Sequence, residues 1–185
     1  IDHYTYCLCG DGCLQEGISQ EAISFAGRQK LNKLILLYDC NNVTLDGGLE
    51  MSSNENTKKR FESCNWNVIQ VKDGNNVKAI DRAIKKAKES KEKPTIIICH
   101  TIIGYGSKNQ GTSKVHGAPL GAEDGRNTKL SYGYDYPDFT IPNAVYNHMN
   151  KTFLARGEKE YSDWEKRFNI YRNNYPQEAA KFIST

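Results

Sequence analysis

No stretch of this sequence approaches the ~20 consecutive apolar residues that a membrane span needs, so no membrane partner is expected. The opening residues, Ile1–Cys9, lack the basic start and long apolar stretch of a secretory signal, and none is expected there. Cys7, Cys9, Cys13, Cys40, Cys64 and Cys99 form no Cys-x-x-Cys pair, which argues against a zinc ribbon or a thioredoxin-type motif. Charge of one sign is also scarce: the net value is +3, too small to argue for nucleic acid. Internal repeats and low-complexity tracts are absent from the sequence.

What is present is an ordinary globular composition, with 38% hydrophobic and 25% charged residues in 185. A chain of this size removes roughly 70% of its unfolded surface from water, so a core can form without covalent staples. Cys7, Cys9, Cys40 and Cys99 lie in apolar segments and read as small core residues in a reducing compartment, which makes the cytoplasm the expected location.

The first half alternates short apolar strands with amphipathic helices. Tyr4–Cys9 reads as a strand broken by Gly10-Asp11-Gly12. Ile18–Gln29 carries Ile18, Ala22, Ile23, Phe25 and Ala26 at helical spacing. Leu34–Tyr38, Val68–Val71 and Thr95–Cys99 are short apolar runs of the kind buried on both faces of a sheet. Between the last two, Val77–Glu89 places Val77, Ile80, Ala83, Ile84 and Ala87 on one stripe, and its lysines fall on a solvated face. This repetition predicts an α/β fold: a parallel sheet with crossover helices on both faces. Segment 104–140, rich in Gly, Ser, Asn and Asp, is expected to be one long irregular stretch. Its first part, 104–118, is expected to be mobile until a ligand orders it. A helical C-terminal tail follows Pro142, with stripes at Val145, Met149 and Phe153 and at Tyr161, Trp164, Phe168 and Tyr171. The expected division is a core over 1–140 and a helical extension over 141–185.

Ligands of such sheets bind beyond the strand carboxyl ends. Gly10-Asp11-Gly12 stands there, and two readings fit it. One is a tight turn. The other is a diphosphate loop, in which glycines let backbone N–H groups approach the anion and Asp11 tolerates it through a shared hard cation. Asn41-Asn42 comes at the end of the next apolar strand, with 28 residues (13–40) between Gly12 and Asn41. One crossover helix and one strand return Asn41 to the sheet edge that carries Asp11, where its amide oxygen and the carboxylate can share a cation.

Gly-Asp-Gly, this spacing and Asn-Asn resemble the diphosphate-and-metal motif of thiamine diphosphate enzymes. Gly10–Ser19, Val43–Gly47, Ile103–Ser107 and Val115–Leu120 together resemble the transketolase family, continuously from about His3 to Glu123 and more weakly through the tail. The resemblance implies a thiamine diphosphate-binding fold and a role for each matching position. Asp11 and Asn41 would ligate Mg²⁺ or Ca²⁺ through their side chains and Val43 through its carbonyl. Gly10 and Gly12 would line the diphosphate. Leu45 and Ile103 would pack on the cofactor rings, with plain core as the alternative for both. His116, the candidate catalytic residue, would stand near the diphosphate and the donor sugar. Glu16 and Glu21 would lie at the interface of a homodimer, with helix-start carboxylates as the alternative.

The reaction implied is transfer of a two-carbon ketol unit from a ketose phosphate to an aldose phosphate, a step of the pentose phosphate pathway. The chain corresponds to most of the family's first domain, entered just before a core strand at Ile1, so this segment by itself is expected to be inactive. A related ketol transferase such as dihydroxyacetone synthase fits the same motifs, and so does a non-catalytic module holding metal and diphosphate or only an interface. Two departures stand out. Asn42 occupies a position that the family varies, and Lys108–Lys114 lacks a histidine expected before His116.

Overall fold

The computed structural model describes residues 3–184; Ile1 lies outside them. The chain divides into two compact units, Ile1–Tyr134 and Asp135–Thr185. The division between them falls after Tyr134.

In the first unit β1 (Thr5–Gly10), β2 (Leu34–Cys40), β3 (Asn67–Val71) and β4 (Thr95–His100) form one sheet in the order β1-β2-β4-β3. All three pairings are parallel. Helix α1 (Gly17–Arg28) connects β1 to β2, α2 (Thr57–Ser63) lies between β2 and β3, and α3 (Val77–Lys88) returns the chain to β4. Right-handed crossovers explain the faces. The steps β1 to β2 and β2 to β3 run in one direction across the sheet, which puts α1 and α2 on the same side. The step back from β3 to β4 puts α3 on the other.

Two apolar layers result. Ile23 and Ala26 of α1, Phe61 of α2 and Trp66 pack on Cys9, Leu36, Tyr38, Cys40, Ile96 and Ile98. Ala83 and Ala87 of α3 pack on Ile35, Val71, Ile97 and Cys99. Alternate residues of β2 and β4 feed alternate layers, which is why these strands read as unbroken apolar runs. Trp66 donates its indole N–H to the Ile23 carbonyl at 2.8 Å and meets Phe61 edge-on at 5.1 Å. A Cβ on Gly27 would lie 1.8 Å from the Cys64 carbonyl oxygen, so only glycine lets α1 settle against the end of α2.

Three expectations need correction. Among the described residues Cys7 is exposed rather than in the core, on β1, which pairs there with β2 alone; Leu8 beside it is 78% exposed. Ile18 and Phe25 of α1 are likewise exposed. Segment 104–140 is not irregular throughout: α4 (Ala122–Ser131) lies within it. Segment 104–118 makes contacts of its own. Tyr105 stacks on Tyr132 at 6.1 Å, Gly106 N–H donates to Gln110 Oε1, and Lys108 N–H donates to the buried Asp124 carboxylate at 3.0 Å.

The second unit is helical: α5 (Asn143–Met149), a π-turn over Asn150–Leu154, α6 (Ala155–Asn174) and α7 (Pro176–Ile183). Tyr161, Trp164, Phe168 and Tyr171 form a ladder of adjacent rings along α6, as their spacing predicts. Phe182 of α7 meets Phe168 at 5.4 Å. Among the described residues no helix is long and apolar enough to cross a membrane.

Candidate functional site

The carboxyl ends of β1, β2 and β4 are level: Gly10 pairs with Asp39, and Cys40 with His100. The loops leaving them therefore start from one edge of the sheet. Asp11 follows β1 and is only 3% exposed. A carboxylate at that depth needs donors, since an unpaired buried charge is strongly unfavourable. It has three. The Tyr38 hydroxyl donates to Oδ1 at 2.6 Å, and the N–H groups of Asn41 and Asn42 donate to Oδ2 at 3.1 Å each. Burial first, and then the bond to Asp11, push the Tyr38 hydroxyl above its ordinary pKa, so it stays a donor. Asn42 reaches its position with φ at 60°, in the left-handed region that asparagine tolerates better than most residues.

The loop beyond is a small hairpin. Asn41 Oδ1 accepts from Val43 N–H at 3.0 Å. Leu49 N–H donates to the Asn42 carbonyl and Thr44 N–H to the Gly47 carbonyl, which makes Val43 and Gly48 a non-hydrogen-bonded pair. The ladder thus leaves the Val43 carbonyl unused. Leu45 sits at the hairpin tip, 67% exposed, so it is not a core residue. On the other side Asp39 Oδ1 accepts the Thr101 hydroxyl, and Asn41 Nδ2 lies 3.5 Å from the same oxygen.

Gly10 and Gly12 border open space: a Cβ on either would meet nothing within 4 Å. Packing within the chain therefore does not demand glycine here, and a Cβ would project into room that a ligand can use. With Asp11, the Asn41 carboxamide and the Val43 carbonyl, the donors are all hard oxygens. That set suits Mg²⁺ or Ca²⁺ beside an anionic diphosphate.

The structure brings Gly10, Asp11, Gly12, Asn41 and Val43 to one place. Ile103, half-buried, and exposed His116 stand on the segment that follows β4. Gly104, with φ at +61°, lets Val115 fold back against it, and His116 follows. Glu16 and Glu21 are exposed at the start of α1; Glu16 is its N-cap residue but makes no side-chain capping bond. Sequence reasoning missed Tyr38, Asp39 and Thr101. The available signal was an aspartate directly after a buried apolar run.

A parallel α/β sheet with polar loops gathered beyond its strand carboxyl ends is the architecture of a cofactor-binding domain. The whole chain, residues 1–185, matches the family model described as "Transketolase, thiamine diphosphate binding domain", and the chain belongs to that family. It is 49% identical over 183 residues to transketolase of Bacillus subtilis strain 168, covering 98% of this chain and 27% of that protein. Among solved structures, transketolase from Leishmania mexicana superposes with a TM-score of 0.87 at 39% identity, over 100% of this chain and 28% of that one. A Pichia stipitis transketolase in complex with sedoheptulose 7-phosphate gives a TM-score of 0.86 at 39% identity, over 97% of this chain and 27% of that one. This chain therefore spans little more than a quarter of the length of these relatives.

Proposed function

We propose that this chain binds the diphosphate of thiamine diphosphate together with a divalent cation, as part of a transketolase. The observation that carries the reading is the buried Asp11 carboxylate, held against the Asn41–Val43 loop beside open space at Gly10 and Gly12. Asp11, Asn41 and the Val43 carbonyl would hold Mg²⁺ or Ca²⁺. Gly10 and Gly12 would let the backbone approach the diphosphate, and Leu45 and Ile103 would offer apolar surface to the rings.

Thiamine diphosphate supplies an electron sink for carbon–carbon bond cleavage when bound. The chain's residues bind and orient it, and His116 would steer the donor sugar. The reaction proposed for the complete enzyme is ketol transfer between sugar phosphates in the pentose phosphate pathway. Support for that substrate class comes from the sedoheptulose 7-phosphate complex of the Pichia relative. A homodimer with Glu16 and Glu21 at its interface, and a cytoplasmic location, belong to the same reading. This chain alone is proposed to lack ketol-transfer activity, since it spans so small a share of its relatives.

Calorimetric titration of the chain with thiamine diphosphate, with and without Mg²⁺, tests the reading. Heat that requires Mg²⁺ is expected. Binding of equal strength without a divalent cation would overturn the cation site, and no binding in either condition would overturn the cofactor site.

A further inference from the structure

We propose that Tyr38 is a positioning residue: it fixes the Asp11 carboxylate so that one defined lone pair faces the divalent cation. The inference rests on the cation site proposed above and adds a residue from the sheet beneath it.

Tyr38 is 2% exposed, in the layer shared by Cys9, Cys40 and Ile98. Phenylalanine would fill that layer equally well. The hydroxyl brings a polar atom into an apolar core, where it needs a partner. Asp11 Oδ1 is that partner, at 2.6 Å.

The three donors to Asp11 are not equivalent. The N–H groups of Asn41 and Asn42 belong to the loop that would itself ligate the cation, so they shift whenever that loop adjusts. Tyr38 belongs to β2, paired on both sides, with Cys9 of β1 and Ile98 of β4. It is the donor anchored in the sheet.

A carboxylate offers about four acceptor sites, two on each oxygen. Oδ2 receives two N–H groups, which occupy both of its sites. Oδ1 receives the Tyr38 hydroxyl and keeps one. Tyr38 thereby selects the direction in which Asp11 meets a cation. Without the hydroxyl the carboxylate rotates about its remaining bonds, and both Oδ1 sites become available in no fixed direction.

Tyr38→Phe tests this, with Mg²⁺ titrated calorimetrically into the chain in the presence of thiamine diphosphate. The expected result is a loss of Mg²⁺ affinity of about 10- to 100-fold, the usual effect of removing a residue that orients a metal ligand. Thiamine diphosphate affinity at saturating Mg²⁺ should be retained. Ile98→Val, a cavity in the same layer, should lower stability and leave Mg²⁺ affinity unchanged. With Mn²⁺ in place of Mg²⁺, the electron paramagnetic resonance line shape should change in Tyr38→Phe and not in Ile98→Val.

Unchanged Mg²⁺ affinity in Tyr38→Phe, while the unmodified chain binds Mg²⁺, overturns the proposal. Equal losses in both variants overturn it too, since they mark a packing effect. No Mg²⁺-dependent binding by the unmodified chain overturns the cation site and this inference together. Should Tyr38→Phe not fold, 3-fluorotyrosine at position 38 decides: its ¹⁹F resonance must move when Mg²⁺ and thiamine diphosphate are added, and a static resonance refutes the role.

Discussion

Thr101 donates its hydroxyl to the Asp39 carboxylate and so ties the end of β4 to the end of β2. Asn41 Nδ2 approaches the same oxygen. The two loops that would flank the cofactor are thus joined at their roots by one side-chain bond.

Thr101→Val should cost about 1 kcal/mol, since both groups are half-buried and the acceptor is charged. Thr101→Ser keeps the hydroxyl and should cost less. Urea unfolding of the two variants measures the difference, and equal midpoints would remove the bond from the account.

Two glycines should respond to alanine in opposite ways. Gly27→Ala forces a Cβ into the Cys64 carbonyl and should cost about 2–3 kcal/mol or more, seen as a lower melting temperature. Gly12→Ala meets nothing within 4 Å and should leave stability unchanged within about 0.5 kcal/mol. Its effect should appear in thiamine diphosphate affinity instead. A Gly12→Ala chain that binds the cofactor normally would show that the open space there is not used.

Asp11→Ala should abolish Mg²⁺-dependent cofactor binding. It also strands the Tyr38 hydroxyl and two N–H groups, so a stability loss of about 1–3 kcal/mol is expected besides. Calorimetry and urea unfolding read the two effects separately, and intact cofactor affinity in the variant would remove Asp11 from the ligand set.

The thiols should separate by depth. Exposed Cys7 and Cys13 should react with a disulfide reagent at pH 8 long before buried Cys9, Cys40 and Cys99, which mass spectrometry of the modified peptides can verify. Burial, with the neighbouring Cys13 and Cys7 thiols adding to it, pushes the Cys9 pKa from its ordinary 9.0 up to about 12. The unfolded chain then releases this proton at lower pH than the folded one. The contribution of Cys9 to stability is accordingly complete below pH 9 and declines between pH 9 and 12. Unfolding midpoints in Cys9→Ala should depend less steeply on pH over that window.

Periodicity made β2, β4 and α3 legible, because burial on both faces writes a continuous apolar run and burial on one face writes a stripe. Helix α2 escaped it: Phe61 is its only buried residue, and its clearest mark is Asn56, whose side chain accepts from Lys59 N–H. Helix α4 escaped because its buried residues, Asp124 and Thr128, are polar. Asp11 and Asn41 could be paired in advance from one crossover and one strand. The role proposed for Tyr38 could not, because nothing in Leu34–Tyr38 distinguishes a packing tyrosine from one whose hydroxyl meets a carboxylate. Only the register that sets Tyr38 opposite Cys9, two residues before Asp11, makes that meeting visible.

Among the described residues β1 pairs with β2 alone, and Tyr6 and Leu8 stand exposed along it. A strand with one bare edge and apolar side chains is a template for another strand. In a solution of these residues alone, edge-to-edge pairing through Thr5–Gly10 should therefore set in at high concentration. Leu8→Lys would oppose such edge-to-edge growth without touching the residues proposed to face the diphosphate.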